Sequence, residues 1–227
     1  AAKLGRTISD RLVALHGANG VRLRFGTSVV DAESSVEDGR PIARLRLTDG
    51  SIFDADDVLV SIGCIPNTDW LAGSGLDSSD GVVCDGFGMA SPGIWAAGDV
   101  ASIPRAGQFG PQRVEHKQNA IDQGRLIASN ILASRQDAPQ SRLAATPYFW
   151  TDQFDVKVQS AGWYSEAAEE IVRPVEGARD GAFAVRYMLK GRLLGAATWN
   201  APKAMTQLRA EIEREHSDVA LLEEVLS

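Results

Sequence analysis

Hydrophobic side chains recur at a helical interval at the start of the chain. Leu4, Ile8, Leu12 and Leu15 are three or four residues apart, and the pattern ends at Gly17. This interval places the side chains on one face of an α-helix, and glycine is typical of a helix carboxyl end. The sequence therefore predicts an opening helix.

A two-residue alternation follows this helix. Apolar and polar residues alternate over residues 21–25 and 43–47, and Ile52-Phe53 comes directly after an Asp-Gly turn. Alternation predicts half-buried strands, whereas the largely apolar run 58–62 predicts a strand buried on both faces. We therefore expect a small antiparallel meander followed by a buried strand.

Residues 75–134 predict a strand, a corner, a loop and a helix. Residues 96–100, Ala-Ala-Gly-Asp-Val, predict a short buried strand that ends in a tight turn at Gly98-Asp99. A glycine-rich loop at 106–111 and a long helix from about 114 to 132 follow. The turn would hold the Asp99 carboxylate at the carboxyl end of a strand, where α/β sheets bind cofactors. Taken alone, a Gly-Asp pair is typical of an ordinary turn.

The remainder of the chain predicts a small α+β domain. Residues 136–146 are polar and rich in turn formers, which is typical of a linker. Strands are predicted at 156–159, 170–174, 183–189 and 193–198, the last two joined by a hairpin turn at 190–192. Two helices are expected to follow, one with Pro202 near its first turn and one after Ser217.

Charge and composition limit the possible functions. The chain has 227 residues, of which 44% are hydrophobic, and a net charge of −7. This charge argues against binding to the phosphate backbone of nucleic acids, which requires clustered Lys and Arg. The local basic excess is expected to lie on the solvated face of strands rather than to form a docking site. It consists of Arg22, Arg24, Arg44 and Arg46.

Neither a membrane segment nor a metal site is indicated. Apolar runs stay well below the roughly 18 to 20 residues that span a bilayer, and residues 1–6 lack the apolar stretch of a secretion signal. We therefore expect a cytoplasmic protein. Cys64 and Cys84 form no Cys-x-x-Cys pair and are expected to be small buried hydrophobes, and the three histidines are dispersed.

Four segments together carry a family resemblance. They are residues 58–67 (VLVSIGCIPN), 96–100 (AAGDV), 113–120 (RVEHKQNA) and 148–153 (YFWTDQ). In this order and spacing they resemble the second half of the FAD-dependent pyridine-nucleotide oxidoreductases, in the ferredoxin (putidaredoxin, rubredoxin) reductase branch. The resemblance covers nearly the whole chain.

The resemblance implies an α/β plus α+β fold. Partial Rossmann-like NAD- and FAD-binding domains would be followed by a small carboxy-terminal reductase domain that supplies an interface. The expected divisions are the second half of the NAD(P)H domain at 1–73, the returning FAD segment at 74–140 and the reductase domain at 146–227. The G-x-G-x-x-G turns of this family would lie upstream of Ala1. We therefore expect a fragment that is inactive when isolated.

The resemblance also implies cofactor-binding residues. Asp99, flanked by Gly98 and Val100, would hold the ribitol of FAD. Val114, Glu115 and His116 would form the first turn of a helix whose amino end faces the N1 and O2 side of the flavin. His116 would either stack on a nicotinamide or cap that turn.

Two further residues belong to the expected cofactor site. The resemblance places the Trp150 side chain beside the flavin, where it would exclude water. Gly63 would end the buried strand at the junction of the NAD and FAD domains, where the missing Cβ lets a cofactor approach the backbone.

Three functions remain open. The first is electron transfer from NAD(P)H through FAD to a ferredoxin- or rubredoxin-like protein, with the chemistry supplied by the cofactor rather than by catalytic side chains. The second is a redox-responsive interaction protein like apoptosis-inducing factor, which the Glu115-His116 pair favours. The third is a catalytically inactive isolated domain. An exposed half-domain surface would also favour self-association.

Overall fold

The computed structural model describes residues 4–37, 40–104, 111–144 and 146–216. They belong to two compact units, one formed by Arg11–Ile65 and the other by Ala1–Asp10 with Pro66–Ser227. Helix α1, Gly5–Ala18, confirms the predicted opening helix, with Ile8 completely buried. Within the described ranges, every helix is too short or too polar to cross a bilayer.

The Arg11–Ile65 unit contains an antiparallel meander. Its strands are β1 (Val29–Glu37), β2 (Arg40–Leu47) and β3 (Ile52–Ala55), in the order β1-β2-β3. The strands predicted at 43–47 and 52–53 are therefore confirmed, whereas β1 was not predicted. Two of the four arginines lie on the solvated face of β2 and form ion pairs with carboxylates of the neighbouring strands. Arg44 pairs with Asp54 of β3 at 2.8 Å, and Arg46 pairs with Asp31 of β1 at 2.5 Å.

Two strand predictions in this unit are wrong. Residues 21–25 and 58–62 have no strand structure, and Phe25, Leu59 and Ile62 are 72%, 93% and 90% exposed. A strand needs a neighbouring ladder, and no described segment pairs with either run. Apolar alternation reports the capacity of a segment to be buried, not the partner that buries it. Cys64 is exposed for the same reason, contrary to expectation, whereas Cys84 is buried.

Residues 66–144 form small sheets packed on one long helix. The elements are β4 (Val82–Val83), β5 (Met89–Ser91), β6 (Ile94–Trp95), β7 (Ala101–Pro104), β8 (Pro111–Gln112) and α2 (Lys117–Arg135). Strand β7 lies between β4, to which it is parallel, and β8, to which it is antiparallel, while β5 and β6 form a hairpin. Val82, Ala101, Ile103 and Ile127 belong to the buried core between sheet and helix.

Two expectations for this region need correction, and a third concerns residues that are mostly not described. The strand expected within residues 96–100 is absent, because β6 ends at Trp95. None of residues 96–100 is buried. The helix expected from about 114 begins at Lys117, because His116 has an extended backbone with φ −126° and ψ 134°. Residues 106–110 of the predicted glycine-rich loop lie outside the described residues.

The carboxy-terminal part is a five-stranded antiparallel sheet with one helix against it. The elements are β9 (Tyr148–Gln153), β10 (Val156–Gly162), β11 (Glu169–Pro174), β12 (Phe183–Leu189), β13 (Arg192–Trp199) and α3 (Pro202–His216). The strand order is β11-β12-β13-β10-β9. Met205, Leu208 and Ile212 of α3 pack on this sheet. The four predicted strands, their hairpin turn and the first closing helix are confirmed, whereas the helix after Ser217 lies outside the described residues.

The carboxylate of Glu170 on β11 binds the amino end of α1. The backbone N–H groups of Arg6 and Thr7 donate to its two oxygens at 2.6 and 2.9 Å. The Tyr187 hydroxyl donates to the carbonyl of Leu4 at 2.5 Å. Burial opposes ionisation of Glu170, but the hydrogen bonds from Thr7 and Arg6 outweigh it and lower the pKa. A side chain distant in sequence therefore caps this helix.

We predict that Glu170→Gln lowers the free energy of unfolding at pH 7 by about 0.5–1 kcal/mol, the low end for a cap because the carboxylate is partly solvated. The folded-state pKa lies below the ordinary 4.5, so the contribution is present above pH 4.5 and is lost as the pH falls through the lowered value. Urea unfolding followed by circular dichroism at pH 7 and at lower pH tests this. The adjacent Glu169→Gln is the matched control, and an equal effect of both variants would contradict the assignment.

The exposed apolar run at 58–65 predicts self-association of the chain. Leu59, Ile62 and Ile65 are each at least 90% exposed, and contiguous apolar surface favours association. We expect concentration-dependent oligomers in light scattering coupled to size exclusion, and less association for the double variant Leu59→Lys/Ile62→Lys. The control Ala32→Lys/Ser34→Lys adds the same charge on β1 without removing these side chains. A wild-type chain that stays monomeric at high concentration would contradict the prediction.

Candidate functional site

The predicted Gly-Asp corner is present directly before β7. Gly98 has φ +81°, a backbone conformation that residues with a Cβ rarely adopt. Its carbonyl accepts a hydrogen bond from Ala101 N at 3.0 Å. Val100 is held by Val82, whose N–H donates to its carbonyl at 2.7 Å. Asp99 is exposed. The corner therefore presents a solvated carboxylate, which accepts hydrogen bonds from hydroxyl groups.

Arg113 connects this corner to two carboxylates. Its Nε pairs with Asp80 at 2.7 Å and its Nη1 with Glu115 at 2.7 Å, while Nη1 also donates to the Asp99 carbonyl at 3.2 Å. Its side chain is only 15% exposed. The hydrogen bonds that Arg113 donates to Asp80 and to Glu115 raise its pKa above the ordinary value, although burial opposes this shift. The guanidinium thus fixes the corner relative to the residues that precede α2.

Helix α2 directs its amino end toward the same region. His116 occupies the N-cap position, but its side chain makes no capping hydrogen bond. Glu115 and His116 therefore precede the helix instead of forming its first turn. His116 caps the helix by its backbone position, whereas its stacking on a nicotinamide stays a prediction. Its ring contacts Phe149, with the centroids 5.0 Å apart. The first-turn N–H groups and the helix dipole favour negative charge at this end.

A cleft of about 470 Å³ lies between this region and the carboxy-terminal sheet. It is lined by Asp80, Arg113, Val114, Glu115, His116, Pro147, Phe149, Ser160, Gly162, Trp163 and Tyr164. One side is charged and the other is aromatic, which is typical of a pocket for a planar ligand with polar edges. Partial burial, followed by the charges of Glu170 and Glu166, raises the pKa of Tyr164, so its phenol stays protonated at neutral pH.

The structure brings some predicted site residues together and separates others. Val114, Glu115 and His116 all line the cleft. Trp150 is on the opposite face of β9 from Phe149, 46% exposed and stacked on Tyr148 with the centroids 5.7 Å apart. Its place beside a flavin stays a prediction.

Gly63 belongs to the Arg11–Ile65 unit and does not end a buried strand. It has φ +95°, and a Cβ there would meet no atom within 4 Å. The left-handed backbone accounts for glycine at this position, whereas the close approach of a cofactor stays a prediction.

Sequence reasoning missed several residues of the cleft. Arg113 and Phe149 stand inside the motifs that carried the resemblance, directly beside residues that were selected. Trp163 had a weaker signal, because it lies four residues beyond the end of the strand predicted at 156–159. Asp80 had none, because the sequence pattern does not show that it lies beside Arg113.

Comparison with known protein families supports two assignments along the chain. Residues 2–124 match the model of the pyridine nucleotide-disulphide oxidoreductases. Residues 148–222 match the model described as reductase C-terminal. The cleft is lined by residues from both matched regions.

Curated relatives are ferredoxin-type reductases. Rhodocoxin reductase of Rhodococcus erythropolis is 33% identical over 89% of this chain and 45% of its own length. The ferredoxin–NAD(+) reductase component of the p-cumate 2,3-dioxygenase system of Pseudomonas putida is 34% identical over 92% of this chain and 48% of its own length. The chain thus spans about half the length of the curated relatives it matches.

A solved structure shares the fold. The crystal structure of the covalent putidaredoxin reductase–putidaredoxin complex matches with a TM-score of 0.78 and 28% identity, over 100% of this chain and 56% of the other. This likeness agrees with the family match over more than half of the residues. The chain therefore belongs to the pyridine nucleotide-disulphide oxidoreductase family.

Proposed function

We propose that the chain is the FAD-returning segment and carboxy-terminal domain of an NAD(P)H-dependent reductase of a ferredoxin- or rubredoxin-like protein. The observation that carries this proposal is the Asp99 corner, which Arg113 bonds to the residues lining a charged and aromatic cleft. The relatives' names, ferredoxin–NAD(+) reductase and rhodocoxin reductase, support the same activity. The division at 1–73, 74–140 and 146–227 belongs to this proposal.

The described residues fit FAD at three points. The Asp99 carboxylate is solvated and suits the hydroxyl groups of a ribityl chain. The amino end of α2, which begins at Lys117, carries the positive end of the helix dipole and suits the electron-rich edge of a flavin ring. Phe149 and Trp163 line the cleft and suit the flat faces of the ring system. Each feature matches a different part of one cofactor.

The residues of the chain would bind and tune the cofactor rather than react. When bound, FAD supplies the chemistry, accepting hydride from NAD(P)H and releasing electrons singly to an iron–sulfur protein. Asp99 would hold the ribityl hydroxyls, and the α2 amino end would stabilise the negative charge that develops on reduction. Phe149 and Trp163 would exclude water from the cleft. Arg113 would hold the Asp99 corner and the segment before α2 at a fixed distance from each other.

The acceptor and the reductant follow from the same proposal. A small iron–sulfur protein fits as the acceptor, because one of the relatives is named a ferredoxin–NAD(+) reductase component. We also propose a cytoplasmic location, where reduced pyridine nucleotide is supplied.

We predict that the purified chain binds FAD and that Asp99→Asn weakens this binding. Loss of charge-assisted hydrogen bonds to two hydroxyls costs about 1.5–3 kcal/mol, which is roughly a tenfold to hundredfold rise in Kd. Flavin fluorescence titration measures the Kd, and absorbance after desalting measures retention. Asp180→Asn is the matched control, because Asp180 is exposed between β11 and β12.

Two outcomes would contradict this proposal. A wild-type chain that gives no flavin fluorescence change and is colourless after desalting would show that these residues do not suffice to hold FAD. Equal Kd values for wild type and Asp99→Asn would show that the corner carboxylate does not contact the cofactor.

A further inference from the structure

Gln123 is a completely buried amide on α2, outside the cleft lining. Its Oε1 accepts a hydrogen bond from the backbone N–H of Gly98 at 2.7 Å. Its Nε2 has no hydrogen-bond partner in the described part of the chain. A buried amide donor without a partner costs free energy. An apolar side chain would avoid that cost, as the buried Ile127 does one turn later on α2.

The hydrogen bond from Gly98 to Gln123 fixes the orientation of the peptide group that precedes Gly98. It engages the Gly98 N–H, so the peptide between residues 97 and 98 is turned toward α2 and not toward solvent. Arg113 donates to the carbonyl of Asp99, one residue later, at 3.2 Å. These two bonds bracket Asp99 on its amino and carboxyl sides. These two hydrogen bonds therefore fix the backbone position from which the Asp99 carboxylate projects.

Gln123 also couples the corner to the amino end of the same helix. Helix α2 begins at Lys117, six residues before Gln123, which is about 9 Å along a helix axis at 1.5 Å per residue. A helix segment of this length is rigid compared with loops. One element therefore presents the helix amino end and fixes the carboxylate corner at a constant separation.

We propose that Gln123 is a positioning residue that sets the Asp99 carboxylate relative to the amino end of α2, and so adapts this segment to a ligand that contacts both. The proposal rests on the proposed function where that ligand is FAD. The local part, the control of the corner by the Gln123 acceptor, stands on the geometry alone.

Amide hydrogen exchange of the 227-residue chain, followed by NMR, tests the local part. In wild type we expect a slowly exchanging Gly98 amide. Gln123→Met keeps the length of the side chain but removes the acceptor, and we expect Gly98 exchange to accelerate by about tenfold or more. The Cys84 amide, bonded to the Ser102 carbonyl at 2.9 Å, serves as an internal reference and should not change. A loss of exchange protection at Gly98 alone, with Cys84 still protected, would distinguish a positioning role of Gln123 from a general loss of stability.

FAD titration tests the coupling to the ligand. We expect Gln123→Met to raise the Kd by about tenfold, whereas Gln207→Met, the same exchange at an exposed position of α3, should leave it unchanged. Gln123→Glu retains an acceptor oxygen, so slow Gly98 exchange is expected to return in this variant.

The two proposals fail in different ways. Free exchange of Gly98 in wild type, or unchanged Gly98 exchange in a folded Gln123→Met variant, would overturn the positioning role whatever the chain binds. Accelerated exchange in Gln123→Met with an unchanged Kd would overturn the coupling to the cofactor. A wild-type chain that binds no FAD would instead contradict the proposed function, while the exchange result still decides the role of Gln123.

Discussion

Arg113 carries its charge into a position that is only 15% exposed, and a guanidinium taken out of water needs carboxylates around it. Asp80 and Glu115 supply them at 2.7 Å each, and the Asp99 carbonyl takes a further donor. These partners come from three separate segments, so one charge draws together the approach to β4, the corner before β7 and the approach to α2. Removal of any one partner would leave the others bound to an incompletely compensated ion. The ion network therefore connects the three segments that form the charged side of the candidate site.

The carboxy-terminal sheet completes the site from the other side. Strand alternation along β9 points Phe149 toward His116 and the cleft, while Tyr148 and Trp150 lie on the face that packs toward α3. Arg209 of α3 lies over the Tyr148 ring at 4.4 Å, which holds that aromatic pair in place. Phe149 therefore stands on a strand that is hydrogen-bonded into a sheet, which makes its position more rigid than that of a loop residue.

Local signals in the sequence were enough where one segment alone decides the structure. The helical interval near the start, the strands at 183–189 and 193–198 and the turn between them were all predicted. The tight corner at Gly98 was predicted because glycine allows the positive φ that a turn needs and Asp is a common turn residue. Predictions failed where the outcome depends on a partner: the runs at 21–25 and 58–62 have the composition of strands, but no described segment pairs with them. Strand β9 was not predicted, although Tyr, Phe, Trp and Thr in a row are typical strand formers.

The sequence by itself determined the family, the Asp99 corner and the segment that leads into α2, because these depend on short motifs and on local backbone preferences. Only the tertiary structure decided that Arg113 joins Asp80 to Glu115, that Phe149 and not Trp150 lines the cleft, and that the buried Gln123 holds Gly98. Each of these contacts joins residues that are separated along the chain or on opposite faces of one strand. Their energies arise from burial and from charge pairing, and both depend on distances in space that the order of residues along the chain does not show.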